Sequence, residues 1–432
     1  MSTVIGVVRR NTELGLMVMA AVLTAGAYAL AGLGRSASLP ANLVPFLLVI
    51  LGLLAAAHVA TRYFAPNADG ILLPLAGILN GIGYVFIARL DSDLAALQAM
   101  WTALGVGAFV ATLALVRRAR DIERLRYTFA LIGIGLLLIP LVPGVGQNIN
   151  GARLWVKLGP LTFQPGELAK IALAVFFASY LVEKQPLLAM GTQRVAGIWV
   201  PNVRHFGPIV LAWAFSLVVM FWEKDLGSSL LFFALFIVLL WVATARNIYL
   251  GIGLVLFGAG AMIAYQVFDH VQTRVHILTD PWSVANGAGY QTVQAMFAFA
   301  AGGLTGTNLG QGSPQRIPAV STDFIFAAIG EELGLLGTVA ILMAFLLMVG
   351  AGLRVAMRVE SPFEKLLAAG LTAILGLQTF IIIGGVTRLV PLTGITLPFV
   401  SYGGSSLISN YILLALLLRI SADDAERKAG VA

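Results

Sequence analysis

The chain has 432 residues, 59% of them hydrophobic and only 11% charged, with a mean hydropathy of +0.93. A soluble domain is about 25% charged, so this composition cannot cover a water-facing surface and points to an integral membrane protein. Net charge is +7 with no cysteine, which excludes disulfides and thiolate metal sites; the basic residues gather at the ends of apolar runs with no nucleic-acid motif.

Twelve apolar runs are long enough to span a bilayer core. They cover residues 15–34, 41–61, 71–89, 98–116, 127–146, 166–182, 206–222, 227–245, 248–268, 335–353, 366–387 and 402–419. The first follows Arg9 and Arg10 and resembles a signal peptide. It is too long for one and further spans follow, so it is read as a retained anchor. With the N-terminus in the cytoplasm, alternation places most of the 27 basic residues inside. Arg204 and the cluster Arg117, Arg118, Arg120, Arg124 and Arg126 are among them. Both termini are then cytoplasmic, and the segment 269–334 lies outside.

Several polar clusters interrupt this pattern. Between the fifth and sixth spans lies Asn150-Gly151-Ala152-Arg153-Leu154-Trp155, followed by Gln164-Pro165-Gly166-Glu167-Leu168-Ala169-Lys170. Glu167 and Lys170 share one helix face. They fit either a salt bridge that seats the helix or a pair facing substrate in a hydrated cavity. The outer hairpin Trp222-Glu223-Lys224-Asp225 reads as a solvated turn, with Asp225 capping the next helix. Of the four histidines, none pairs at the spacing of a zinc site.

The outer segment 269–334 is long for a connection, and such loops tend to carry function. Its stretch Tyr290–Leu304 is apolar but too short to span, with Gln291 and Gln294 on one side. It is expected to lie in the interface or re-enter the bundle. Near the end stands Asp323, which spacing alone makes a helix cap. Glu331 and Glu332, further along that helix, read as packing or support. The segment Arg388–Ser406 holds Pro391 and Pro398, so it cannot be a regular helix throughout. Its end, Ser401-Tyr402-Gly403-Gly404, permits close backbone approach and a helix start with free N–H groups. A plain helix cap is the competing reading.

Read together, the runs NGARLW, QPGELAK, EKDLGSS, GYQTVQAMFAFAAGGLTGTNLGQG, STDFIFAAIGEELG and PLTGITLPFVSYGGSS resemble the SEDS family (shape, elongation, division, sporulation). That family includes RodA, FtsW and SpoVE. EKDLGSS and IIIGGVTRLVPLTG are most like its actinobacterial RodA-type members. The resemblance covers about residues 70–420 and implies an all-α polytopic membrane protein. The expected architecture is a SEDS-type bundle of ten transmembrane helices, with two extra helices in an N-terminal region 1–69. The core 70–420 would carry the large loop 269–334, and 421–432 would be a cytoplasmic tail. Gly166 departs from the Ser or Ala more frequent in the family.

The resemblance further implies a peptidoglycan glycosyltransferase of the cytoplasmic membrane that polymerises lipid II with inversion and releases undecaprenyl pyrophosphate. Its implied partners are a class B penicillin-binding protein transpeptidase, the elongation or division machinery, and membrane lipid. The family's essential aspartate falls on Asp323, and its important Glu and Lys fall on Glu167 and Lys170. An acceptor hydroxyl needs a base within about 3 Å. Asp323 is the candidate base, or else a ligand for a divalent cation such as Mg²⁺ or Mn²⁺. A departing pyrophosphate needs cations or N–H donors, and Arg153, Lys170 and Arg274 are the outer-side candidates. Gln164, Gln291, Gln294, Ser401, Tyr402, Gly403 and Gly404 complete the expected cavity. A lipid II flippase and a non-catalytic scaffold that activates a penicillin-binding protein are the alternatives.

Overall fold

The computed structural model describes residues 2–36, 38, 43–149, 152–159, 161–189, 193–195, 198–200, 207–223 and 225–430. Asn150, Gly151, Arg204 and Lys224 lie outside the described residues. The chain divides into two units, each described by itself. One comprises Met1–Arg117, Arg274–Gly352 and Gln378–Ala432; the other comprises Arg118–Thr273 and Leu353–Leu377.

Twelve helices follow the apolar runs: α1 (Ser2–Ser36), α2 (Leu43–Phe64), α3 (Leu72–Leu90), α4 (Ser92–Leu115), α5 (Arg126–Leu138), α6 (Gly166–Ala189), α7 (Gly207–Glu223), α8 (Leu226–Thr244), α9 (Ile248–Val267), α12 (Ile325–Arg358), α13 (Pro362–Val386) and α14 (Gly404–Lys428). Among the described residues eleven are long and apolar enough to cross a membrane, α5 doing so with its flanking 3₁₀ turns as Ala119–Leu141. At 17 residues, α7 is at the short limit for a span. Two more helices, α10 (Asp269–Thr279) and α11 (Tyr290–Gly302), form inside the segment 269–334. The protein is a mostly helical, multi-pass membrane protein.

The expected helical bundle is found, with short strands added at two connectors. Residues after the fifth span form a three-stranded antiparallel sheet: β1 (Gly146–Ile149), β2 (Ala152–Leu158) and β3 (Leu161–Phe163). Val156 pairs with Gly146 on one side and Phe163 on the other. A second hairpin joins β4 (Gln193–Val195) to β5 (Ile198–Val200). Both connectors are too short and too broken by turns for helices, so strand pairing satisfies their backbone groups. The fifth span also ends sooner than expected, because Pro140 and Pro143 interrupt the run after Leu138.

Helix starts follow local chemistry. Asp91 opens α4 by accepting from the N–H groups of Asp93 and Leu94. Asp225 caps α8 as expected, accepting from Ser228 N at 3.0 Å. In lipid, apolar burial does not by itself drive helices together, so buried polar contacts and close packing do more. In the first unit the Asn80 amide of α3 donates to the Tyr411 hydroxyl of α14 at 2.9 Å. The Arg419 guanidinium of α14 donates to the Leu113 carbonyl of α4 at 2.8 Å.

The helix after Asp323 begins at Ile325, next to the expected cap, and runs on into the span expected over 335–353, with a break at Gly334 (φ 64°, ψ −162°). Residues 303 and 304 fold back against this break. Leu335 N donates to Gly303 O at 3.0 Å, and Leu336 N donates to Leu304 O at 3.1 Å.

Candidate active site around Asp323

Asp323 sits at the end of a tight turn that begins at Ala319, a non-glycine residue with φ 54°. The N–H groups of Thr322 and Asp323 both donate to Ala319 O, each at 3.2 Å. Directly after it, Phe324, Ile325 and Phe326 are almost wholly buried. These apolar anchors fix the start of α12, while the acid itself is left half-buried at the surface of the turn. Asp323 precedes the helix by two positions, and its carboxylate interacts with the Thr322 hydroxyl. The acid thus lies in the turn itself, just ahead of the first helical residue.

The segment 388–403 is laid over this turn. Ser401 Oγ donates to Thr322 O at 2.6 Å and accepts from Leu397 N at 2.9 Å. Tyr402 N donates to Ser321 O at 2.8 Å. Gly394, with φ 77°, presents its backbone to the acid, and a Cβ there would lie 3.8 Å from Asp323 Oδ2. A side chain at 394 would be strained by that φ and would stand in contact with the carboxylate. The neighbouring Thr393 is buried, and its Oγ1 has no hydrogen-bond partner.

Two arginines pin the same segment. Arg274 of α10 donates to Leu392 O at 2.8 Å, and its charge reaches Asp323. Arg388 donates to Leu278 O at 2.8 Å and reaches Met296 Sδ of α11 at 3.5 Å. Burial pushes the Asp323 carboxyl up from 3.8 to about 6, against the opposing pull of the Thr322 hydroxyl and the Arg274 charge. Burial wins because taking a carboxylate from water costs more than one partly solvated cation returns.

Several expected residues come together here. Asp323, Arg274, Ser401 and Tyr402 belong to one constellation, with Gly403 and Gly404 opening α14 directly behind it. Gln291 and Gln294 are half-buried on α11. In the second unit Glu167 and Lys170 form a buried pair at 2.6 Å in the first turn of α6. Gln164 O accepts from Glu167 N at 3.2 Å just before that turn, and Arg153 is exposed on β2.

Sequence reasoning did not single out Thr322, Thr393, Gly394 or Arg388. It also missed Arg89, at the C-terminal end of α3. The Arg89 side chain donates to Glu332 Oε1 at 2.6 Å and to Gly312 O at 2.7 Å. An arginine at a helix end expected to face outward was the available signal. The carboxylates of Glu331 and Glu332 hold the loop 307–313, accepting from Ser313 N at 2.6 Å and Gly310 N at 3.0 Å. Their expected supporting role matches this geometry.

The chain is similar to several known proteins. The RodA-type "Peptidoglycan glycosyltransferase RodA" of Mycobacterium tuberculosis is 45% identical over 424 residues, covering 96% of this chain and 90% of that protein. A chain of a peptidoglycan synthase complex, solved for its structural coordination of polymerization and crosslinking, matches with TM-score 0.67 and 27% identity, over 83% of this chain and 98% of that one. The rod shape determining protein RodA of Thermus thermophilus matches with TM-score 0.56 and 26% identity, over 82% of this chain and 97% of that one. The model of the FtsW/RodA/SpoVE cell cycle proteins matches residues 83–426, and the chain belongs to that family.

Proposed function

We propose that this chain is a peptidoglycan glycosyltransferase that polymerises lipid II at the outer face of the cytoplasmic membrane, with Asp323 as the general base. The observation that carries this reading is the setting of Asp323: a carboxyl in the turn under the 388–403 segment, bordered by Gly394 with no side chain and raised to about 6 by burial. A base works best when its pKa lies near the working pH, where it is largely ionised yet still basic.

The step is a single displacement. The acceptor sugar hydroxyl attacks the anomeric carbon of the donor, and Asp323 takes the hydroxyl proton as the new bond forms. The bond to pyrophosphate breaks on the opposite face, so configuration inverts and the lipid pyrophosphate departs with the electron pair. Arg274, whose charge reaches Asp323, is one cation proposed for the pyrophosphate. Arg153 and Lys170 are the further cations proposed for the pyrophosphate. In the first unit Gln291, Gln294, Ser401, Tyr402, Gly403 and Gly404 are proposed to contact substrate; in the second unit Gln164 and Glu167 are proposed to do so. The partner is a class B penicillin-binding protein, which would crosslink the strands made here.

Among the described residues no three His, Cys, Asp or Glu side chains gather as a metal cage. In the alternative to the base role, Asp323 would instead be the protein ligand of Mg²⁺ or Mn²⁺ held chiefly by substrate phosphates. When bound, such a cation supplies charge neutralisation at the pyrophosphate.

The test uses the full chain with its partner on labelled lipid II. Wild-type protein makes glycan polymer. Asp323→Ala and Asp323→Asn insert and bind the partner but lose polymerisation by about 10²- to 10⁴-fold, the usual contribution of a positioned base. Substantial polymer from Asp323→Ala overturns the assignment. Movement of lipid II across liposomes without polymer by the wild type would return the reading to a flippase.

A further inference from the structure

The two helices that precede the family core, α1 and α2, touch the loop that leads to Asp323. Near its outer end α1 carries Gly34, and a Cβ there would overlap the Leu309 carbonyl oxygen. The opposing loop answers with Gly310, at φ 81°, where a Cβ would overlap the Ala31 carbonyl oxygen and lie 3.1 Å from Arg35 N. Each backbone therefore approaches the other at a position without a side chain. Between the two glycine contacts, Leu309 packs into an apolar cluster that includes Tyr28, Ala31, Phe46 and Tyr84. Tyr28 and Phe46 come from α1 and α2, and Tyr84 comes from α3. Phe46 stacks on Tyr84 with ring centroids 4.3 Å apart.

The same loop is gripped from the other side. The N–H of Gly310 goes to Glu332 Oε2 at 3.0 Å, and Arg89 bridges Glu332 and the Gly312 carbonyl. Arg35 of α1 reaches the Arg89 carbonyl at 3.4 Å. From Gly312 the chain runs through a short 3₁₀ turn, Pro314–Arg316, and buried Ile317 to the turn that holds Asp323.

We infer that the α1–α2 pair is a positioning element for the polymerisation reaction. It seats Leu309 and Gly310, and through that loop holds the Asp323 turn in its working place. Gly34, Leu309 and Gly310 are thus positioning residues; none touches the reacting atoms. This rests on the reading of Asp323 as the base. A membrane anchor alone needs no glycine at 34 and no leucine at 309. A brace needs both, because a side chain at 34 pushes the loop outward and an alanine at 309 empties its socket.

The test compares full-length Gly34→Val, Leu309→Ala and, as control, Leu33→Ala, whose side chain is 44% exposed. Each is assayed for initial polymerisation rate against labelled lipid II concentration, for the acid side of its pH profile, and for amide exchange across 303–328. The expected result for Gly34→Val is faster exchange in 304–317 and a fall of about tenfold in maximal rate. KM should stay within about twofold, since remote misplacement of a reacting group acts on turnover. The acid limb should also move to lower pH, as Asp323 gains water; a lesion that only lowers the amount of folded enzyme leaves that limb in place. Leu309→Ala keeps the test open where Gly34→Val does not fold, because it removes atoms and adds none. Wild-type rates in Leu309→Ala, or exchange at 304–317 equal to wild type in both variants, overturn the brace. Failure of the wild-type chain to make polymer would instead overturn the base reading, while the exchange data would still report on the contact.

Discussion

A carboxyl group that must accept a proton near neutral pH has to be withdrawn from water without being neutralised by a tight ion pair. Asp323 meets both conditions, because burial raises it to about 6 and the Arg274 charge only moderates the shift. Below about 6 the group is protonated and cannot act as a base. Polymerisation is therefore expected to rise with pH through a limb near 6, measured as initial rate on lipid II in fixed detergent. The same shift sets a sign for stability. The folded-state value lies above the ordinary 3.8, so the folded protein holds this proton more tightly. The contribution is present below about 3.8 and is lost as pH rises through about 6. Asp323→Asn removes the buried charge, so it should melt at or above the wild-type temperature at pH 7 while making no polymer. A lower melting temperature at pH 7 would show that the carboxylate is a structural ligand of its turn. The buried Glu167–Lys170 pair obeys different logic. Removing one partner, as in Lys170→Met, strands the other and should cost about 3–5 kcal/mol of stability. The double swap Glu167→Lys with Lys170→Glu restores the pair but places the cation at the helix start, against the helix dipole. It is expected to restore folding without polymerisation, and recovered polymerisation would mark the pair as structural only.

The broken helix α12 explains why the site could be read only partly from sequence. The helix was expected to begin beside Asp323 and to carry Glu331 and Glu332, with the membrane span placed only from residue 335. The structure joins the two across the break at Gly334 and gives both carboxylates to the loop 307–313. Glu331 takes Ser313 N, and Glu332 takes Gly310 N together with Arg89. Sequence periodicity shows which residues face lipid, but it cannot show which distant backbone N–H a buried acid will satisfy. For the same reason Asp323 and Ser401-Tyr402 were legible as singular features, while the closing contacts of Thr322, Thr393 and Gly394 were not. The β1–β3 sheet was hidden because its strands are short and the segment was read for its polar residues alone. Arg89 is the residue on which the clamp turns, since its guanidinium bridges α12 and the loop within one unit. Arg89→Met leaves Glu332 buried without its cation and should lower stability by about 3–5 kcal/mol. The drop should be visible as a fall in melting temperature, with faster exchange at 304–315 than in α14. Equal exchange in both places would mean the bridge is incidental to the loop.

Across the whole molecule, charge and apolar length together decide on which side of the membrane the chemistry takes place. The chain carries 27 basic residues, and the exposed group Arg117, Arg118, Arg120 and Arg124 is their densest run. Moving that run across the bilayer during insertion is costly, so it is expected to remain in the cytoplasm. The segment 269–334, with α10, α11 and the Asp323 turn, then faces outward, where lipid-linked sugar units would be joined. The chain contains no cysteine, so single introduced thiols report side without background. Ala288, exposed between α10 and α11, and Ala429, exposed after the last turn of α14, are suitable positions. In intact cells Ala288→Cys should react with a membrane-impermeant maleimide, and Ala429→Cys should react only after lysis. Each variant should keep polymerisation at the wild-type rate, because neither position belongs to the clamp or to the Asp323 turn. The reverse labelling pattern would place Asp323 in the cytoplasm. That would remove the outer-face polymerase reading, since the acid would then lie across the membrane from the growing glycan.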